Sequence, residues 1–418
     1  MIWVEGLMRI KFGQITLFEN EKNMGIKIMA LYFVLYPIMV IFKEHMKYWY
    51  FLFGLPIFIL ILIHIPRKSI NYMKIVAVSI FLGVYCVNSL LQGYIRQYVY
   101  NWIGMCLILF IYCFPWILLT ITENCWNEFT HIICKKTKLM FITVLMLYMH
   151  DYFMGISMNG NMQFSYAAMP AVVFSLYDFF ENRKKYQLGI AGILTVMIIL
   201  FGSRGPLLCI MAFIAIYFIK NQKKQIPIII VGVLTLIYIA INYNAILNGV
   251  VVILSKYNIS SRTIYKLMSG TISSDTGRSK IQDVVIGLIK KYPVFGVGIG
   301  GERIVVNREI YNMTKNMGSC YPHNIILEVL VQYGIIIGIL LIIWFAVRIV
   351  VTYICEEEKR NALIILGCIS IVHLMVSSSY LEEPMFFALM GMVLNYKYEE
   401  NTRYPMERKT LQQTQELE

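Results

Sequence analysis

What most constrains this chain is the recurrence of apolar runs long enough to cross a bilayer. A helix needs roughly 17–25 mostly apolar residues to span about 30 Å of hydrocarbon. Such runs recur along nearly the whole sequence, separated by short polar clusters. A segment in lipid must satisfy its own backbone hydrogen bonds, and a helix does so internally. The expected fold class is therefore all-α, a polytopic integral membrane helix bundle. Composition agrees: 58% of residues are hydrophobic and 15% charged, against about 45–50% and about 25% in soluble domains.

The pattern predicts about twelve spans, near 26–42, 48–65, 75–91, 102–121, 139–150, 163–180, 187–202, 205–219, 226–242, 325–347, 361–378 and 384–396. The run at 139–150 is short, and the one at 163–180 is only moderately apolar. With the N-terminus inside, alternation puts most basic clusters on the inner face. These are Arg67/Lys68/Lys74, Lys135/Lys136/Lys138, Arg183/Lys184/Lys185, Lys220/Lys223/Lys224, Arg348/Lys359/Arg360 and the tail. Outer turns hold little positive charge, chiefly Lys43, Lys47, Arg96 and Arg204. That is the positive-inside asymmetry. The net charge of +13 therefore reads as orientation and headgroup contact, and nucleic acid is excluded as a partner.

The organisation that follows is a cytoplasmic segment at 1–25, a transmembrane bundle of about nine helices at 26–242, a large extracytoplasmic loop at 243–322, about three more helices at 323–396, and a cytoplasmic tail at 397–418. Acidic residues Glu5, Glu19 and Glu21 precede the first run, and no small-residue cleavage site follows, so that run is expected to remain as a membrane helix. The nine cysteines include no CxxC pair and no Cys/His spacing typical of zinc, and read as small packing residues. No internal repeat is visible. Within the loop, Ser279–Lys291 places Ile281, Val284, Val285, Leu288 and Ile289 on one face, which predicts an amphipathic helix ended by Pro293.

Charge at a membrane boundary is costly and needs a reason. Arg204 lies in Phe201-Gly202-Ser203-Arg204-Gly205-Pro206, between two apolar runs. It reads either as an arginine snorkelling to headgroups or as a guanidinium aimed at phosphate. Arg278 precedes the surface helix, and by itself reads as a solvated loop charge. His323, in Tyr321-Pro322-His323-Asn324, stands where the loop re-enters the bundle. It can cap a helix or hold a proton near neutral pH. Glu328 follows in the same helix, to bond polar groups of the bundle or orient the imidazole. His150-Asp151 and Glu382-Glu383 lie at outer ends as helix-end polarity or as carboxylates near a site. Phe295–Gly301 matches GxGxxG formally, but it lacks the strand and helix of a dinucleotide fold and reads as a tight turn. Gly334 and Gly338 form a GxxxG expected to allow close helix contact.

Taken in order, these motifs resemble the O-antigen ligase/polymerase family of bacterial envelope glycan enzymes. The resemblance rests on the Ser-Arg-Gly-Pro turn, Asp275 to Arg278, Tyr292–Gly298, Pro322-His323-Asn324-Ile325-Ile326-Leu327-Glu328 and Gln332-Tyr333-Gly334, over about residues 200–340. It implies a glycosyltransferase in the bacterial cytoplasmic (inner) membrane, its active site facing outward. The donor would be an oligosaccharide on undecaprenyl pyrophosphate, with no cofactor and no metal. His323, Arg204 and Arg278 would be catalytic; Arg204, Arg278, Asn324 and Glu328 would bind pyrophosphate or glycan. Implied partners are the lipid-linked donor and acceptor, membrane lipids and a chain-length regulator. Gln332 stands where many members carry glutamate. The wording around it favours a repeat-unit polymerase over a ligase, with a lipid-linked oligosaccharide transporter as the remote alternative.

Overall fold

The computed structural model describes residues 24–46, 55, 59, 72–91, 99–121, 125–156, 161–220, 243–256, 264, 278–310 and 320–395. The expected spans at 48–65 and 226–242, most of the segments at 1–25 and 397–418, and the clusters at 67–68 and 223–224 lie outside the described residues.

The fold is helical. In order come α1 (Met24–Met46), α2 (Tyr72–Leu91), α3 (Val99–Leu107), a π-turn (Ile108–Cys113), α4 (Pro115–Thr120), α5 (Trp126–Phe153), α6 (Met162–Asn182), α7 (Lys185–Phe201), α8 (Arg204–Lys220) and α9 (Tyr243–Lys256). Then follow α10 (Arg278–Lys291), α11 (Gly301–Ile310), α12 (Ile325–Tyr333), α13 (Ile335–Cys355), α14 (Glu357–Gly367), a second π-turn (Cys368–Val372), α15 (His373–Val376), a 3-10 turn (Tyr380–Glu382) and α16 (Pro384–Leu394). Among the described residues the one β-type pairing is an isolated bridge between Asn161 and Gly202.

α6 is the hub. It packs on α1, α5, α7 and α8, and nearly every residue from Phe164 to Phe180 is buried. Ser165, Ala167, Ala168, Ala171 and Ser175 keep its surface low, and small residues are what let helices approach where lipid supplies no hydrophobic drive. α13 is the converse. It is the most apolar of the described helices, yet only 11% of it is buried. Ile336, Leu340, Ile343, Val347, Val350 and Ile354 face outward. In water such a stripe would be an aggregation site; in lipid it is an ordinary surface. Four helices, Gly25–Phe42, Trp102–Thr120, Ile335–Cys355 and Glu357–Val376, are long and apolar enough to cross a membrane, and Val76–Leu91, Lys185–Phe201 and Pro384–Leu394 are shorter apolar helices. The chain is a multi-pass helical membrane protein.

Two expectations change. No break separates Lys135, Lys136 and Lys138 from the run at 139–150, because one helix covers Trp126–Phe153. Its buried stripe (Phe129, Ile133, Thr137, Met140, Val144, Leu147, Asp151) continues past the lysines at helical spacing, and neither Gly nor Pro interrupts it. The segment expected to be one span at 325–347 is split at Gly334, whose φ of 82° and ψ of 168° end α12 and start α13 in a new direction. Gly334 therefore breaks the helix, while Gly338 lies close against the Leu330 backbone of α12, the close helix contact expected of it. A helix, α9, occupies Tyr243–Lys256, one of the short helices expected within the segment at 243–322.

The amphipathic helix forms as α10, with Ile281, Val285, Leu288 and Ile289 buried. With Val297, Val306, Cys320 and Val331 they make a small core of their own. Each buried side chain of this layer contributes about 1.5–3 kcal/mol. The glycine-rich turn ties that layer to the bundle. Val297 and Gly298 donate to Val331 and Gln332, and Ile299 N–H donates to Tyr85 O at 3.3 Å. Gly298, at φ 77°, lies so close to the Ser89 backbone that a Cβ would collide with it. The turn is structural, as its setting in the sequence implies.

Candidate active site

One end of the bundle gathers most of the singled-out residues. α6 begins there, with the Asn161 side chain capping Phe164 N–H at 2.9 Å. The turn between α7 and α8 is stitched to it: Asn161 N–H donates to Phe201 O at 3.0 Å, and Ser203 N–H donates to Ser165 Oγ at 2.8 Å. Gly205 lies against the Tyr166 hydroxyl, and a Cβ there would force that ring to shift. Arg204, half-buried, is the first residue of α8. Asp151 accepts from Asn161 Nδ2 at 2.8 Å and pairs with His150 at 3.0 Å, so this pair holds the end of α5 to the start of α6.

Arg278 is the first residue of α10. Its Nη1 donates to Val376 O at 2.7 Å, across 98 residues of sequence. Val376 also lies beside Gly205, so Arg278 and the first turn of α8 meet at the end of α15. A cation at a helix N-terminus opposes the macrodipole, and an anion there is favoured.

His323 stands between α11 and α12, outside the membrane-spanning segments, with φ at 55°. That left-handed conformation is uncommon for a side chain with a Cβ and clusters at functional sites. Ser378, across the site, shares it at φ 61°. The imidazole lies against the Tyr321 ring, centroids 4.3 Å apart. Its Nδ1 is buried and has no hydrogen-bond partner among the described residues. Burial, and after it the charges of Arg278 and Arg303, lower its pKa to about 4. The ring is therefore neutral at physiological pH and able to accept a proton.

The other two expected binding residues are engaged within the protein. Asn324 is the N-cap of α12 and accepts from Ile326 N–H at 2.9 Å and Leu327 N–H at 3.2 Å. Glu328 is buried and accepts from Ser379 Oγ and from Tyr380 N–H at 3.3 Å. Of the two roles foreseen for Glu328, the bonds to bundle groups are the ones seen.

Sequence reasoning missed Arg303. It is buried on α11, and its Nη1 donates to Glu382 Oε1 at 2.6 Å. Its Cζ lies 5.4 Å from the Tyr321 ring centre, so Tyr321 neighbours both Arg303 and His323. The available signal was Glu302-Arg303, adjacent charges running into Ile304-Val305-Val306 directly after the glycine turn. Glu382 enters the site through this pair, whereas Glu383 pairs with His373 at 3.3 Å on the bundle side. Gln332 bridges two buried groups, donating to Glu302 Oε1 at 2.8 Å and accepting from the Tyr380 hydroxyl.

Residues 189–343 match the family model described as O-Antigen ligase. This stretch is an O-antigen ligase family domain. No curated protein and no solved structure matches the chain at a significant level. The O-antigen ligase domain runs from α7 into α13 and contains Arg204, Arg278, Arg303, His323 and Glu328. It does not contain Tyr166, Val376, Ser379 or Glu382, which complete the same end of the bundle. The domain description names the ligase, where the sequence wording alone favours the polymerase.

Proposed function

We propose that the chain transfers a glycan from a polyprenyl-pyrophosphate carrier to an acceptor hydroxyl at the outer face of the bacterial cytoplasmic membrane, in the manner of an O-antigen ligase. The observation that carries this reading is the neutral, strained His323 facing Arg278 at the loop end of an O-antigen ligase domain. The acceptor oxygen forms a bond to the donor's anomeric carbon as the bond from that carbon to the pyrophosphate oxygen breaks. The leaving carrier keeps the electron pair, and the hydroxyl proton passes to the imidazole. Arg204 and Arg278 stabilise the negative charge as it develops on the pyrophosphate, which is where fixed cations act most strongly. Undecaprenyl pyrophosphate is the carrier that the resemblance implies.

Outward orientation is supported by the basic clusters. Arg183, Lys184, Lys220, Lys359 and Arg360 collect at the end of the bundle away from His323, where Lys184 pairs with Asp178 at 3.2 Å and Lys359 with Glu356 at 2.7 Å. The second reading is the polymerase, the same chemistry with a second lipid-linked unit as acceptor. It is favoured by Gln332-Tyr333-Gly334 in place of Glu-x-Gly.

Surface glycan resolved by chain length, in cells lacking the protein, tests the two. Full-length glycan stranded on its carrier supports the ligase. Single units on the normal anchor support the polymerase. An unchanged ladder, with no redundant enzyme, sinks both. On complementation, His323→Ala is expected to lower transfer by about 10²–10⁴ and Arg204→Lys or Arg278→Lys by about 10²–10³, with the protein still inserted. Full activity in all three removes the site assignment.

A further inference from the structure

Half of the guanidinium of Arg303 has nothing to bind. Nη1 serves Glu382, while Nε and Nη2 are buried and have no hydrogen-bond partner among the described residues. Arg303 itself is only 5% exposed. Nε and Nη2 make up one edge of the guanidinium, and their N–H bonds run side by side. That fork matches two oxygens of one phosphate or carboxylate. Two further buried atoms nearby lack a partner, Glu302 Oε2 and His323 Nδ1. Native interiors pair nearly all such groups, so a cluster of exceptions calls for an explanation. A bound oxyanion would supply the acceptors that the Nε and Nη2 donors of Arg303 lack.

The surroundings suit an anion. Tyr321 walls one side, its ring facing both Arg303 and His323. The field of Arg278 reaches the same imidazole. Burial pushes the Glu302 carboxyl up towards its neutral form, which lessens the opposing charge. Glu382 on the other edge shows that this guanidinium already pairs with one oxyanion.

We infer that the Nε/Nη2 edge of Arg303 is an oxyanion-binding subsite, separate from Arg204 and Arg278, which takes two oxygens of the carrier's phosphate or of an acidic sugar's carboxylate. It rests on the proposed transfer reaction for its role, since it would hold one end of the donor or acceptor beside His323.

The test uses the full chain in detergent, with inorganic pyrophosphate and methyl glucuronide as calorimetric probes. Arg303→Lys keeps the charge facing Glu382 but loses the fork, and should weaken one probe by about tenfold or more. The probe that responds identifies the source, phosphate or sugar carboxylate. The Arg204→Lys/Arg278→Lys double variant should retain the Arg303-dependent binding while losing transfer. Transfer that survives in the double variant sinks the proposed reaction and leaves the probe result standing. Unchanged affinity for both probes in Arg303→Lys, or no binding to wild type, overturns the subsite. If Arg303→Lys does not fold, Glu382→Gln decides. Removing the competing carboxylate should tighten the responding probe, and equal or weaker binding overturns the inference.

Discussion

At the scale of single residues the site depends on keeping an imidazole neutral. A histidine ordinarily titrates near pH 6.5, and here burial and two arginines move it to about 4. The acidic limb of the transfer rate should therefore fall near pH 4 rather than near 6.5. Arg278→Gln removes a positive charge, makes protonation easier and should shift that limb upward, which a pH–rate profile of residual activity would show. The same shift bears on stability. Between about pH 6.5 and 4 the unfolded chain holds the proton and the folded chain does not, so stability falls as pH drops through that window. Gln332 makes a second residue-scale case. Its amide donates to Glu302 and its oxygen accepts from Tyr380. Gln332→Glu would set a carboxylate against Glu302 without a donor between them, at a cost of about 1–3 kcal/mol. Thermal unfolding in detergent should show the loss, and adding Glu302→Gln should recover part of it. Arg204 and His323 stood out in the sequence because charge and imidazole at a membrane boundary are anomalous, whereas Arg278 stood out only through the family resemblance. Arg303 did not stand out, since an arginine in a long polar loop looks solvated until its pairing with Glu382, 79 residues away, is seen.

At the scale of elements, the break at Gly334 sets the geometry of the site. It lets α12 stop under the glycine turn, with Ile335 N–H donating to Pro293 O at 2.7 Å, while α13 leaves along the lipid face. At φ 82° a Cβ would be strained and would also collide with the Val294 carbonyl. Gly334→Ala should cost about 1–3 kcal/mol, read as a lower unfolding temperature. It should also lower transfer, because α12 carries the cap of the His323 turn. An apolar run gives no warning of such a break. Ile325–Val347 reads as continuous membrane helix, and the break is enforced by a neighbouring loop. α10 was legible for the opposite reason, since its buried stripe follows helical spacing and Pro293 bounds it.

At the scale of the whole molecule, charge asymmetry and the site lie at opposite ends. In intact cells, with native cysteines replaced, Val294→Cys on the loop layer should react with a membrane-impermeant maleimide and Lys185→Cys should not. Both positions are exposed in the fold, so burial does not confound the comparison. Labelling of Lys185→Cys alone would invert the topology and place the site on the wrong face for a lipid-linked donor.

The sequence by itself determined the solvent of this fold and the rhythm of its helices, because apolar length and basic clustering are properties of consecutive residues. It also marked the boundary charges, whose cost is local. Tertiary structure decided what those charges face. The meeting of α8, α10 and α15 at Val376, the Glu328 bonds to Ser379 and Tyr380, the Arg303–Glu382 pair and the completion of the site by residues beyond the family domain all join positions far apart in the chain. No local preference encodes such meetings; they arise from how the helices pack around α6.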